Sequence, residues 1–183
     1  MSRVHELCAD CGFDGATYSD PELLASLRSL ADRWRRQLAA AGGHLRTRPA
    51  PTTWSAIEYA AHSRDVTALH AYGVEQALTV DEPTFPPIGD DILNHAVSTY
   101  GDADPDEVCD ELATAAHRLA ELADDAGADA WTRGLTVGDT RSDVRRLLEH
   151  ALHDSQHHLD DVERGVAEIA NGQRQLPTDM PPG

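Results

Sequence analysis

The chain contains no lysine. All 15 basic residues are arginine, against 32 Asp and Glu, which gives a formal net charge of −17. Such an acid surplus argues against nucleic acid as a partner, because duplex binding is driven by neutralising phosphates. It argues equally against an anionic membrane surface. Arginine without lysine, beside 27 alanines, fits a GC-rich, actinobacterial-like coding bias, so the missing lysine carries no structural meaning. Long apolar runs are also missing. No stretch approaches the ~20 apolar residues of a membrane-spanning helix. Met1 to Asp20 has no apolar core of signal-peptide length, so a cytoplasmic protein is expected. Three cysteines in 183 residues do not make a disulfide framework. No strand pattern and no internal repeat stand out.

What is abundant is histidine, with 10 in the chain. The rest of the pattern is helical. A first helix is predicted from about Pro21 to Ala41, with Leu23, Leu24, Leu27, Leu30, Trp34 and Leu38 at helical spacing. Ser19 or Asp20 caps it, Pro21 suits its first position, and Gly42-Gly43 stops it. A second helix starts at the capping box Ser55-Ala56-Ile57-Glu58 and runs to about Val80. The proline-rich segment 81–87 must be a loop, and Asp91 to Tyr100 has the character of a short helix. A third helix spans about Asp104 to Ala126. A fourth begins at Thr140-Arg141-Ser142-Asp143 and reaches about Ala170. Four amphipathic helices with one long connection between the second and third predict an all-α four-helix bundle, a fold that builds metal sites from facing helices. The chain divides into an N-terminal segment (1–18), the bundle (19–170) and a tail (171–183) expected to be disordered.

His150, His153, His157 and His158 lie within nine residues of the fourth helix. A polar helix face that happens to be rich in histidine is the plain reading. A metal site is the sharper one, since histidine is the commonest metal ligand. Helical phase separates the candidates. With Val144 at zero and about 100° per residue, Val144, Leu148, Ala151, Leu152, Leu159 and Val162 cluster at about 15° as the buried stripe. His153 and His157 lie roughly opposite that stripe, pointing away from the core, with His150 beside them. Asp154 and His158 fall between the two faces, on the flank of the stripe. Phase therefore prefers Asp154-x-x-x-His158, a carboxylate and an imidazole one turn apart. A third ligand must come from another helix. His62, His70 and Asp65 on the second helix all qualify, and pattern alone does not choose among them.

Trp54-Ser55-x-x-Glu58-x-x-x-His62 resembles the second-helix motif of the DinB-like superfamily. The run from His153 to Val162 is similar to its fourth-helix motif, in which two ligands four apart are followed by a polar and then an apolar residue. The resemblance covers roughly residues 20–170. It implies one divalent ion held by His62, Asp154 and His158. The superfamily commonly uses three histidines. Asp154 stands in for one of them, as a glutamate does in the mycothiol-dependent maleylpyruvate isomerase branch. Zinc is the first expectation, with nickel, manganese and iron(II) compatible with the donor set. The resemblance further implies a metal-dependent thiol S-transferase or isomerase. A low-molecular-weight thiol of the mycothiol type would be the cosubstrate and a small electrophile the acceptor. A non-enzymatic metal-binding or stress-related module is the alternative, and pairing into a homodimer is common in the superfamily.

Other residues invite a chemical role beside a plainer one. Glu58 could act as a general base, but its capping position explains it at least as well. Asp161 could orient an imidazole N–H or be a solvated acid. Arg141, Arg145 and Arg146 could meet an anionic substrate, although surface arginine is the simpler reading. Cys8-Ala9-Asp10-Cys11 is half a zinc site, to be completed by His5 or another chain, or a reversible disulfide, or a pair of inert thiols, the last being preferred. Cys109 near the start of the third helix is expected to pack in the core.

Overall fold

A computed structural model describes residues 5–87 and 97–174. Five helices carry the architecture: α1 (Asp20–Arg28), α2 (Leu30–Ala41), α3 (Ala56–Thr79), α4 (Pro105–Ala126) and α5 (Val144–Arg174). Helices α1 and α2 follow one another across a single residue, so they form one side of a four-helix bundle with α3, α4 and α5. Residues 97–100 are helical, whereas Asp91 and the rest of the short helix predicted before Val97 lie outside the described residues.

The caps are where the sequence puts them. Glu22 accepts from the Ser19 N–H at 2.9 Å, and Glu58 accepts from the Ser55 N–H at 2.8 Å. Asp104 accepts from the N–H groups of Asp106 and Glu107, each at 3.0 Å. Each carboxylate satisfies N–H groups at a helix start.

Three local features differ from the sequence reading. The first helix is broken at Ser29, whose hydroxyl donates to the Ser26 carbonyl at 2.8 Å. A serine side chain competes in this way with the helical ladder. Thr140–Asp143 is strand rather than helix start. It pairs antiparallel with Gly134–Val137 across the two-residue turn Gly138-Asp139, where Gly138 takes φ 57°. Gly-Asp at such a turn is a hairpin signal that the helical reading passed over. Thr84–Phe85 adds a short parallel strand beside Gly134–Val137. The fourth long helix therefore starts at Val144, with Asp143 accepting the Arg146 N–H at 2.8 Å. At the other end it runs past Ala170, so Asn171 to Arg174 are helical, and the remainder of the expected tail lies outside the described residues.

The core fills the bundle in two clusters. One gathers Leu23, Leu27, Leu30, Val74, Leu119, Trp131, Leu135, Leu148 and Leu152. The other gathers Trp34, Leu38, Ile57, Tyr100, Val108, Leu112, Leu159 and Val162. Cys109 is buried in the second, and burial pushes its thiol pKa up, as a packing role requires. Between α2 and α5 the fully buried Trp34 donates its indole N–H to the Ser155 hydroxyl at 2.7 Å.

Residues 5–18 pack along α5. The anchor is the buried pair Arg145–Glu149, with Arg145 Nε donating to Glu149 Oε1 at 2.6 Å. Glu149 also accepts the Glu6 N–H at 2.8 Å and meets His5 Nδ1 at 2.7 Å. Arg145 reaches the carbonyls of Gly15 at 3.1 Å and Tyr18 at 2.7 Å, together with Asp20. Arg145 is thus neither a surface arginine nor a substrate contact. Arg141 pairs with Glu82, and Arg146 with Glu6. No helix among the described residues is long and apolar enough to cross a membrane.

Candidate metal centre

The Ser55 cap sets the start of α3, and His62 follows about two turns later on the side facing α5. On α5, Asp154 and His158 are one turn apart. The fold brings these three together: their candidate ligand atoms all lie within 4.8 Å of one another. Asp154 Oδ1 is 3.4 Å from His62 Nε2 and 3.5 Å from His158 Nε2. The His62 and His158 rings sit 5.1 Å apart, centre to centre. Of the three possible partners on α3, the other two are engaged elsewhere. Asp65 accepts from the Tyr100 hydroxyl at 2.9 Å and from Arg64 at 2.7 Å. His70 bonds its own helix at the Val66 carbonyl, 2.7 Å away, and stacks on His150.

The electrostatics of the trio follow from burial against mutual attraction. Burial by itself would raise the Asp154 pKa, but His158 and His62 outweigh it and hold the carboxyl well below its usual range. Burial likewise disfavours a charged His158, yet Asp154 and Asp161 outweigh it and lift the imidazole above its ordinary value. Asp161 Oδ2 lies 2.9 Å from His158 Nδ1, so the Nδ1–H donates there and Nε2 is the nitrogen turned toward Asp154. Glu58 is not free for chemistry. It is held by Ser55 and by the Arg48 guanidinium, whose bonds together with the Ser55 N–H keep it ionised against the opposing effect of burial.

The residues present fit a divalent ion. Two imidazoles and a carboxylate are an ordinary donor set, and Asp154 Oδ2 is buried without a hydrogen-bond partner. Side-chain exposures of 25% for His62, 15% for Asp154 and 19% for His158 leave the trio reachable from outside. Trp54 and Tyr59 wall it, with ring centres 5.2 Å from His62 and 4.8 Å from His158. A shallow groove of about 530 Å³ between α3 and α4, bordered by Ala68, Tyr72, Asp110 and Thr114, includes none of these residues.

Among the described residues, two further groups have comparable spacing: Cys8, Cys11, His153 and His157; and Glu6, His150 and His153. These correct the phase reading of the fourth helix. His153 and His157 do not point into solvent, because the N-terminal segment covers that face. Their side chains are only 15% and 29% exposed, while His150 is 48% exposed. His5, a candidate for completing the cysteine pair, is taken by Glu149 instead. The missed signal is the ladder Arg145, Glu149, His153, His157, spaced by four along one helix edge.

A four-helix bundle in which two histidines and an aspartate converge from two helices is a scaffold with a candidate metal site. The chain belongs to the DinB superfamily, whose sequence profile matches residues 41–162. Two solved structures share the fold. One is YfiT from Bacillus subtilis, described as a probable metal-dependent hydrolase with an unusual four-helix bundle topology. It superposes with a TM-score of 0.75 at 13% identity, covering 93% of this chain and 94% of that one. The other is a mycothiol-dependent maleylpyruvate isomerase, with a TM-score of 0.64 at 15% identity, covering 81% of this chain and 62% of that one. No curated protein sequence matches this chain.

Proposed function

We propose that the protein binds one divalent metal ion through His62, Asp154 and His158 and uses it in thiol transfer or isomerisation. Zinc is the preferred ion, and nickel, manganese and iron(II) suit the same donors. A bound ion supplies a Lewis acid that lowers the pKa of a thiol or water at its open position. The chain's own residues do the rest. His62 and His158 present Nε2 lone pairs, and Asp154 contributes the charge that favours a cation over two neutral imidazoles alone. Asp161 fixes the His158 tautomer. Trp54 and Tyr59 exclude water from one side and offer aromatic faces to a small electrophile. The thiol would be of low molecular weight, of the mycothiol type. Support for the thiol chemistry comes from superfamily membership and from the fold shared with a mycothiol-dependent isomerase.

The single observation that carries the metal reading is the convergence of two imidazole nitrogens on Asp154 Oδ1, with the same carboxylate's Oδ2 buried and unpartnered. The test is elemental analysis of protein purified without a His-tag, comparing wild type with His62→Ala. Loss of one equivalent of metal is expected, and full retention overturns the assignment. Thiol consumption with a haloarene or an epoxide, with and without metal, then separates a transferase from a non-enzymatic metal-binding module. Metal-dependent consumption supports the transferase, and metal binding without any consumption favours the module.

A further inference from the structure

We propose a second metal site, a structural zinc centre of the Cys2His2 type formed by Cys8, Cys11, His153 and His157. It is separate from the His62–Asp154–His158 trio and does not depend on that trio's function. Its four ligand atoms lie within 4.8 Å of one another. A tetrahedral zinc shell, with bonds of about 2.3 Å to sulfur and about 2.0 Å to nitrogen, has edges of roughly 3.3–3.8 Å. The four atoms need only a small contraction to reach it. Cys8 Sγ already sits 3.8 Å from His157 Nδ1.

The two halves are built by different elements, each for its own reason. Cys8 and Cys11 sit in a tight loop closed by the Cys8 N–H donating to the Phe13 carbonyl at 2.9 Å and by a bridge between Leu7 and Asp14. Gly12 supplies the φ of 73° that the turn needs immediately after the second cysteine. Both sulfurs are free thiols, half-buried against α5. His153 and His157 are one helical turn apart on the edge of α5 that this loop covers, and Phe13 packs on the His153 ring at 5.2 Å.

The histidines are already oriented for ligation. His153 Nδ1 is 2.9 Å from Glu6 Oε1, which leaves Nε2 for the metal. That Nε2 atom is buried and has no hydrogen-bond partner. An orphaned buried nitrogen is costly unless something at the site accepts its lone pair. His157 is placed the other way round, with Nδ1 toward Cys8 and Nε2 3.7 Å from Asp161 Oδ2. Each imidazole thus has a carboxylate behind its far nitrogen, the usual arrangement for a zinc-bound histidine. Glu6 explains the third group as well. It serves as the outer partner of His153, with the more exposed His150 3.4 Å away.

Two interleaved pairs on one helix follow from this assignment. Asp154 and His158 face α3, while His153 and His157, each one residue earlier and so about 100° around the axis, face the N-terminal loop. The outer site would fasten residues 5–18 to α5. Because the four ligands come together only in the folded chain, zinc bound there would add its binding free energy to the stability of the folded state.

Cobalt(II) tests the two sites separately, because thiolate ligation adds a near-ultraviolet charge-transfer band that a nitrogen and oxygen site lacks. Reduced full-length protein, titrated with cobalt(II), should show that band, and a mercurial should release one equivalent of zinc from the zinc-loaded wild type. Cys8→Ser with Cys11→Ser should lose the band and one equivalent, while His62→Ala keeps the band. His153→Ala should weaken the band's affinity at least tenfold with helicity unchanged by circular dichroism. Cobalt binding without a thiolate band in the wild type would overturn the proposal. So would unchanged zinc stoichiometry in the double cysteine variant, or a Cys8–Cys11 disulfide that persists when zinc is added under reducing conditions.

Discussion

His158 donates its Nδ1–H to Asp161 at 2.9 Å, within a single turn of α5. The same carboxylate is held by Arg164 from the turn that follows, so it is itself fixed in place. A carboxylate behind an imidazole raises its basicity and locks the tautomer that offers Nε2. Asp161→Asn keeps the shape and removes the charge. It is expected to weaken metal affinity at the His62–Asp154–His158 trio by roughly tenfold to a hundredfold. Competition against a chromophoric chelator measures this directly, and an unchanged dissociation constant would reduce Asp161 to a surface acid.

The charges of the metal-free trio set a pH dependence. The Asp154 pKa is depressed from its ordinary 3.8, so its contribution to stability is present above that value and is lost as the pH falls through the lower, folded one. The His158 pKa is raised from its ordinary 6.5, so its contribution is complete below that value and is lost as the pH rises through the higher, folded one. The interaction therefore stabilises the apoprotein most between those two ordinary values. A metal at the proposed site would compete with the proton that Asp154 and Asp161 favour on His158, so binding there should release protons and tighten as the pH rises. Calorimetric titration with zinc in buffers of different ionisation enthalpy counts the protons released. The expected number at neutral pH is larger than for Asp154→Asn, whose His158 lacks the main partner that keeps it protonated. Equal counts for the two proteins would contradict the coupling.

Arg145 and Glu149 are both almost wholly buried; among the described residues their hydrogen bonds beyond the pair itself tie residues 5–20 to α5, and Arg145 also lies over the Trp131 ring. Removing one member of such a pair strands the other, at a cost of about 3–5 kcal/mol. Glu149→Ala should lower the urea midpoint accordingly. Gly15→Ala reaches the same place sterically, because a Cβ there would lie 2.5 Å from the Glu149 carboxylate carbon. Both variants should increase proteolytic cleavage within residues 5–18 well before the bundle unfolds. Cleavage at the wild-type rate would show that the pair does not hold the segment.

The bundle is legible in the sequence because its signals are local. An N-cap at Ser19 or Asp20, the capping box at Ser55, proline at the first turn of a helix and the apolar stripe of α5 depend only on neighbours in sequence. The trio is legible in part. Helical phase finds Asp154 and His158, but choosing His62 over His70 and Asp65 requires the superfamily resemblance. The structure separates these three because Tyr100 and Arg64 occupy Asp65 while His70 is turned back onto its own helix. Phase misreads the outer edge of α5 for a physical reason. It locates one buried stripe, measured from the apolar residues, and assumes that the opposite face meets water. Here the N-terminal segment meets that face through polar side chains, Glu6, Glu149, Arg145 and His153, which hydropathy counts as solvent-exposed. The hairpin before α5 is hidden by a polar strand, Thr140–Asp143, whose residues also suit a helix start.

The bond between Trp34 and Ser155 offers a test of how α2 is fastened to α5. Both side chains are completely buried, and the Ser155 hydroxyl accepts the indole N–H at 2.7 Å. Ser155→Ala removes the acceptor and leaves that N–H without water or protein, which costs about 1–3 kcal/mol. Trp34→Phe removes the donor but also leaves a space, so its own cost mixes packing with polarity. The double variant resolves the two. If the hydrogen bond is the coupling, Ser155→Ala should be markedly less damaging in the Trp34→Phe background than in the wild type, because no orphaned donor remains. Urea denaturation of the four proteins closes the cycle, and strictly additive losses would mean that Ser155 acts through its volume alone.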